Sequence, residues 1–271
     1  MNIIKKRKSL IKALSIGLVL LSGNVIAKET LTVGTDLTYP PYNYLNGKTP
    51  SGFDADFMRL VAKELGQEVK FLDTRFANLV LGVNLKKFDV IASTLYVTPE
   101  RAEQIDYIPY MKTGGVILAA KNGEFTPTKP ADLCGKRVSS IQGAAWIKKL
   151  NVVSSEECLP KGLSKIDVRE FPTSPEASQA LIAGNVDAQF EDAAVAQNAA
   201  DKSGRLVLTS DIIYPVVVGL GLKKGSAELK SKLASAVANV EKSDAFKKLL
   251  LEYSVSTPNE KEVKAALDGT L

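Results

Sequence analysis

One phrase occurs twice in this chain. Leu85–Ala92 carries a helix end, a short polar turn, an Asp and a β-forming run, and the same order returns in Ala183–Phe190. Each copy sits inside a longer alternation of strand-like and helix-like segments, which narrows the fold to α/β with largely parallel sheets. The match is too short to prove duplication. It does predict two similar α/β lobes.

In the first unit Leu31–Thr35 alternates like a strand, and Tyr39-Pro40-Pro41-Tyr42 breaks it. Asn46–Gly52 reads as a loop by composition. From Asp54, the spacing of Phe57, Leu60, Val61 and Leu65 predicts a helix stopped by Gly66. Val69–Leu72 is a strand, Phe76–Leu85 a helix, and Phe88–Thr94 a strand. Thr98-Pro99-Glu100 opens a short helix, with Thr as cap and Pro in the first turn.

The second unit repeats the plan. Arg137–Ile141 is a strand, Gly143 leads into a helix over Ala144–Leu150, and Val168–Phe171 is the next strand. Ser174-Pro175-Glu176 caps a helix that stops at Gly184, Val186–Phe190 is a strand, and Asp192–Ala200 a helix. Two apolar extended segments remain, Gly115–Ala120 and Val216–Leu222, the later one followed by a helix over Ala227–Val240. If the chain returns to the first lobe after them, they are strands crossing between lobes. Otherwise they are ordinary edge strands of one domain.

Charge is concentrated at the start. The first 27 residues hold Lys5, Lys6, Arg7, Lys8 and Lys12 and no acid, so the remainder balances at 35 − 5 = 30 basic against 30 acidic residues. That balance argues against a nucleic-acid partner, which needs a basic footprint. The basic start, the apolar run Ala13–Leu21 and the small-residue site Val25-Ile26-Ala27 read as a cleaved signal peptide over residues 1–27. The expected compartment is the periplasm. Zero histidines exclude Ser-His-Asp and Cys-His catalysis and His-ligated zinc. No cofactor is called for. Cys134 and Cys158 are the only cysteines; in an oxidising compartment a disulfide is the natural reading, and two free buried thiols are the alternative.

In open parallel sheets, ligands bind beyond the carboxyl ends of strands. Asp36 and Tyr39 follow the first strand, and Ser93, Thr94 and then Arg101 follow the strand from Phe88. In the second unit Gln142-Gly143 opens a helix whose free N–H groups favour an anion, and Glu191 and Asp192 follow the strand from Val186. One lobe thus offers Arg101 with hydroxyls, the other a helix start with a carboxylate. Together they would suit a zwitterion. Duller roles stay open: Arg101 pairing with Glu103 or Asp106 on the surface, Asp192 capping a helix, and Ser93 and Thr94 satisfying backbone groups.

These residues resemble the extracellular solute-binding proteins of family 3, which deliver polar amino acids to ABC importers. The resemblance runs through Val33-Gly34-Thr35-Asp36-Leu37-Thr38-Tyr39-Pro40-Pro41, Gly52-Phe53-Asp54-Ala55-Asp56 and Thr98-Pro99-Glu100-Arg101 with Asp106-Tyr107. It continues through Asp132-Leu133-Cys134-Gly135-Lys136-Arg137-Val138, Gln142-Gly143, and Gly184-Asn185-Val186-Asp187-Ala188 before Asp192. Order and spacing together make it specific.

The resemblance implies two lobes, each a mostly parallel sheet flanked by helices, joined by two crossing hinge strands: residues 28–114 with 217–271, and residues 115–216. It implies that Arg101 forks onto the ligand α-carboxylate, helped by Ser93, Thr94 and backbone N–H groups at Gly143 and Ala144. Asp192 would take the α-ammonium, Asp36 and Tyr39 would lie near the ligand side chain, and Phe76 would stack on it. Partners would be the amino acid and, transiently, an ABC permease, with the chain itself a monomer. Members often carry Thr or Ser where this chain has Ala144 and Ala145, and a small residue where it has Tyr96; Trp146 is also unusual, and these aromatics reshape the pocket. The alternative on the same scaffold is an enzyme resembling cyclohexadienyl dehydratases, with Glu191 as its acid.

Overall fold

The computed structural model describes residues 29–271; the signal-peptide expectation for residues 1–27 falls outside them. The first half of the chain forms β1 (Thr30–Thr35), β2 (Thr38–Tyr39), β3 (Asn43–Asn46), β4 (Thr49–Ser51), α1 (Phe53–Glu64), β5 (Glu68–Asp73), α2 (Leu79–Asn84), β6 (Val90–Ile91) and α3 (Pro99–Ala102). The 16-residue strand β7 (Ile105–Ala120) leads to β8 (Arg137–Ile141), α4 (Trp146–Val153), β9 (Asp167–Phe171), α5 (Ser174–Ile182), β10 (Ala188–Asp192), α6 (Ala193–Ser203) and β11 (Leu206–Leu208). Then come β12 (Tyr214–Lys223), α7 (Ala227–Glu241), α8 (Asp244–Glu252) and α9 (Glu260–Asp268). Among the described residues no helix is long and apolar enough to cross a membrane.

The large sheet runs β5-β1-β6-β12-β7-β10-β8-β9, with β11 on β7. β5, β1 and β6 are parallel to one another, as are β10, β8 and β9. Between these two sets lie β12 and β7, antiparallel and paired from Tyr214↔Gly115 to Lys223↔Ile105. β12 joins the first set through Gly221 and Leu222, and β7 joins the second from Gly115 to Leu118. At about 3.3 Å per residue, β7 is long enough to serve both. The two apolar segments are therefore crossing strands, and the fold has two lobes.

Helix α1 shows why the chain returns to the first lobe. Phe53, Phe57, Met58 and Val61 form its buried stripe, and Phe57 stacks on Tyr110 of β7 at 4.6 Å and meets Phe246 of α8 at 5.4 Å. Those rings need α8 beside α1 to stay dry. An ion pair from Lys112 to Glu262 at 2.6 Å ties α9 to the crossing strand. In the other lobe Cys134 and Cys158 are bonded, with Cα atoms 5.5 Å apart.

Several boundaries differ from the sequence reading, each for a local reason. Asn46–Gly52 is half of a hairpin, because Gly47 adopts φ +62° and lets Asn46 pair with Thr49. The strand from Phe88 shrinks to Val90–Ile91: the Phe88 ring turns aside to fill the space over Gly34 and Gly82, and Thr94 bends back at φ +47°. The helix from Phe76 begins as a 3-10 turn, and the helix after Gly143 starts only at Trp146. Thr173 rather than Ser174 caps α5, in a reciprocal box with Glu176. The strand placed at Val186–Phe190 sits two residues later, which puts Glu191 and Asp192 inside the sheet.

Candidate functional site

The strand ends of the two lobes face each other across a small cavity of about 10 Å³. Tyr39, Phe76, Thr94, Tyr96 and Arg101 line it from the first lobe, and Ile141, Ala144, Ala145 and Trp146 from the second. Of the residues singled out in the sequence, Asp36, Ser93, Gly143 and Asp192 stand behind that wall.

Arg101 is delivered by α3, whose cap Thr98 accepts the Arg101 N–H at 3.2 Å. Its two terminal nitrogens donate to the carbonyls of Tyr96 and Gly143, both at 2.9 Å, so one fork spans the two lobes. The guanidinium lies 5.3 Å from the Phe76 ring centroid, a cation–π distance. Surface pairing is not observed: Asp106 is taken by Lys230 and the Gly225 N–H, and among the described residues Arg101 has no acidic partner. Gly143 holds φ +78° at the turn into α4, which aims its carbonyl at Arg101 while its N–H goes to Glu170.

The second lobe also carries two adjacent acids, Glu191 and Asp192, both buried. Asp192 does cap α6, accepting the Ala194 N–H at 3.1 Å, and its other oxygen accepts the Tyr96 hydroxyl at 2.6 Å. Glu191 accepts from Tyr39 and the Asp192 N–H through one oxygen, and from Ser174 and Gln189 through the other. Ser174 is free to do so because Thr173 carries the cap. Every donor is neutral. Among the described residues no Lys or Arg pairs with either acid, and burial pushes Glu191 up to about 7 and Asp192 up to about 6.

The remaining candidates organise the first-lobe wall. Asp36 accepts from Thr38 and from the Phe76 N–H and pairs with Arg75 at 2.9 Å; burial pushes its carboxyl up against those bonds. It thereby fixes where Phe76 sits. Ser93 accepts the Asp36 N–H at 3.0 Å. The Thr94 N–H and hydroxyl both donate to buried Asp54, which also takes Asn43 and Tyr110. That anchor holds Thr94 in its left-handed conformation. Trp146 donates its indole N–H to Ser140 at 2.7 Å and meets Tyr96 edge-on at 5.6 Å.

Sequence reasoning did not find the Tyr96–Asp192 bond, the Tyr39–Glu191 bond or the Asp54 anchor. For Tyr96 a signal existed, its bulk where a small residue is usual. For Asp54 there was none, since an acid in a first helical turn has an ordinary explanation.

A family model described as bacterial extracellular solute-binding proteins, family 3, matches residues 31–256. The L-cystine-binding protein of Escherichia coli (strain K12) is 28% identical over 233 residues, covering 84% of each chain. The histidine-binding periplasmic protein of Salmonella typhimurium is 28% identical over 256 residues, covering 89% of this chain and 95% of its own. Among solved structures, an ancestral amino acid-binding protein, a precursor of cyclohexadienyl dehydratase, superposes with a TM-score of 0.72 at 29% identity, covering 83% of this chain and 95% of that one.

Proposed function

The chain belongs to the bacterial extracellular solute-binding proteins of family 3, and from that premise we propose that it captures a polar amino acid, or an amino-acid-like zwitterion, between two closing lobes. The observation that carries this is charge without an ionic partner on both lobes, Arg101 on the first and Glu191 and Asp192 on the second. Among the described residues Arg101 has two carbonyls but no carboxylate, and Glu191 and Asp192 have neutral donors but no cation. Buried charges are ordinarily paired. A ligand with a carboxylate at one end and an ammonium at the other satisfies both.

In this reading Arg101 turns its fork from the two carbonyls to the ligand carboxylate, and Asp192 takes the ammonium. Phe76, Tyr39, Thr94, Ala144 and Trp146 wall the ligand, while Asp36, Ser93 and Gly143 hold that wall in place. The moving bodies are residues 28–114 with 217–271, and residues 115–216. In this reading the protein works in the periplasm, as the histidine-binding periplasmic relative does, stays a monomer and passes its ligand to an ABC permease.

A second reading, a dehydratase-like enzyme, has one observation in its favour: Glu191 at about 7 lies in the range for proton transfer. Against it, both Glu191 oxygens are already engaged, and the residue is not on the cavity wall. A thermal-shift screen of the exported protein against amino acids tests the binding reading, since ligand at 100 times its Kd adds about 2.7 kcal/mol. Arogenate and prephenate belong in the same plate. Stabilisation by an amino acid without turnover of either acid supports binding; turnover refutes a purely binding role.

A further inference from the structure

The Tyr96 ring stands between two spaces. On one side is the 10 Å³ cavity at Arg101, room for about one water. On the other is a cavity of about 350 Å³, walled by Tyr96, Trp146, Phe190 and Tyr214 together with Pro99 and Pro215. No amino acid enters the first until a side chain leaves it. Most of its wall is pinned: Tyr39 to Glu191, Thr94 to Asp54, Trp146 to Ser140. Tyr96 is held at its tip by Asp192 alone, a bond that an incoming cation replaces with a stronger one.

We propose that Tyr96 is the resident occupant of the ammonium subsite: without ligand its hydroxyl holds Asp192, and a ligand ammonium takes over that carboxylate as the ring turns into the aromatic cavity behind it. The inference rests on the amino-acid-binding reading. It adds a substrate class, compact amino acids of about the size of the phenol they replace, and a selectivity rule. A 2-oxo acid or an N-acyl amino acid has no cation with which to displace the hydroxyl, so it is rejected although Arg101 suits its carboxylate. Phe190 and Gly115, which flank Asp192 along and across the sheet, also line the larger cavity, so the ring has a short path.

The test begins with a thermal-shift screen of the twenty standard L-amino acids and L-cystine, followed by calorimetry of the best of them on wild type, Tyr96→Phe and Tyr96→Ser. Removing the hydroxyl takes one donor from buried Asp192, leaving the Ala194 N–H and the nearby Thr113 and Tyr42 hydroxyls, and it does so only when ligand is absent. Tyr96→Phe therefore binds about 5- to 150-fold more tightly, equivalent to about 1–3 kcal/mol. Trp146 is the only tryptophan and touches Tyr96, so saturating ligand shifts the intrinsic emission of the wild type. Weaker or unchanged affinity in Tyr96→Phe overturns the inference while amino-acid binding stands, and so does unchanged Trp146 emission at saturation. Tighter binding of pyruvate than of alanine by the wild type also overturns it, by making the hydroxyl a permanent stand-in for the ammonium. If no amino acid binds wild type or either variant, the amino-acid reading itself fails.

Discussion

Replacing Arg101 by Lys keeps the positive charge and removes the fork. The guanidinium reaches two carbonyls at 2.9 Å, one in each lobe. A single ammonium at the end of a shorter reach holds one of them. The loss of one charge-assisted bond, about 1.5–3 kcal/mol, falls on the contact between lobes, so the ligand-free variant spends more time open. In the proposed complex, with Arg101 on the ligand carboxylate, the loss is larger. Two parallel bonds to a carboxylate become one, and disrupting a buried charge pair costs about 2–5 kcal/mol, or about 30- to 5,000-fold in affinity. Calorimetry on Arg101→Lys and Arg101→Ala, with circular dichroism to verify folding, reads this directly. Both variants should bind at least about thirtyfold more weakly. Near-native affinity in Arg101→Lys would show that the ligand carboxylate is held elsewhere.

The acid pair sets a pH dependence. Burial raises Glu191 to about 7 and Asp192 to about 6, so between about pH 4 and 7 the ligand-free folded protein keeps protons that the unfolded chain has released, and its stability falls as pH rises. The proposed ammonium needs Asp192 ionised, so affinity should increase from pH 5 to 8 with proton release, measured by calorimetry in buffers of different ionisation enthalpy; flat affinity would contradict this. The bond between Cys134 and Cys158 encloses 23 residues, and reducing it should cost about 3.5 kcal/mol in urea unfolding. Titration of two free thiols in unreduced, denatured protein would deny the bond. Saturating ligand should compact the molecule in small-angle scattering, because its two ends are held from opposite lobes; an unchanged radius of gyration would count against closure.

What the sequence disclosed was mostly local. The buried Phe57 and Val61 with half-buried Leu60 beside them, the Thr98 cap and the Gly66 stop each follow from residues within one or two turns of each other, and they appear where expected. The strand from Val186 was misplaced because Glu191 and Asp192 look like residues that end a strand. They continue it because partners far along the chain, Tyr39 and Tyr96, supply the donors that burial demands. The same reason hid the Asp54 anchor, whose donors come from Asn43, Thr94 and Tyr110. Ser174 shows the converse: next to Thr173 it reads as a cap, and only the structure shows its hydroxyl turned inward to Glu191. Side chains that satisfy one another across 90 or 150 positions leave no periodicity to read.

On the proposed reading the cleft holds both charged ends of one small molecule. Calorimetry with the best-binding amino acid, its carboxamide and its N-acetyl derivative decides this, because each derivative removes one charge and little else. The amino acid alone should bind well, with each derivative weaker by at least about thirtyfold. Equal affinity for either derivative would contradict the pairing of Arg101 with a carboxylate or of Asp192 with an ammonium.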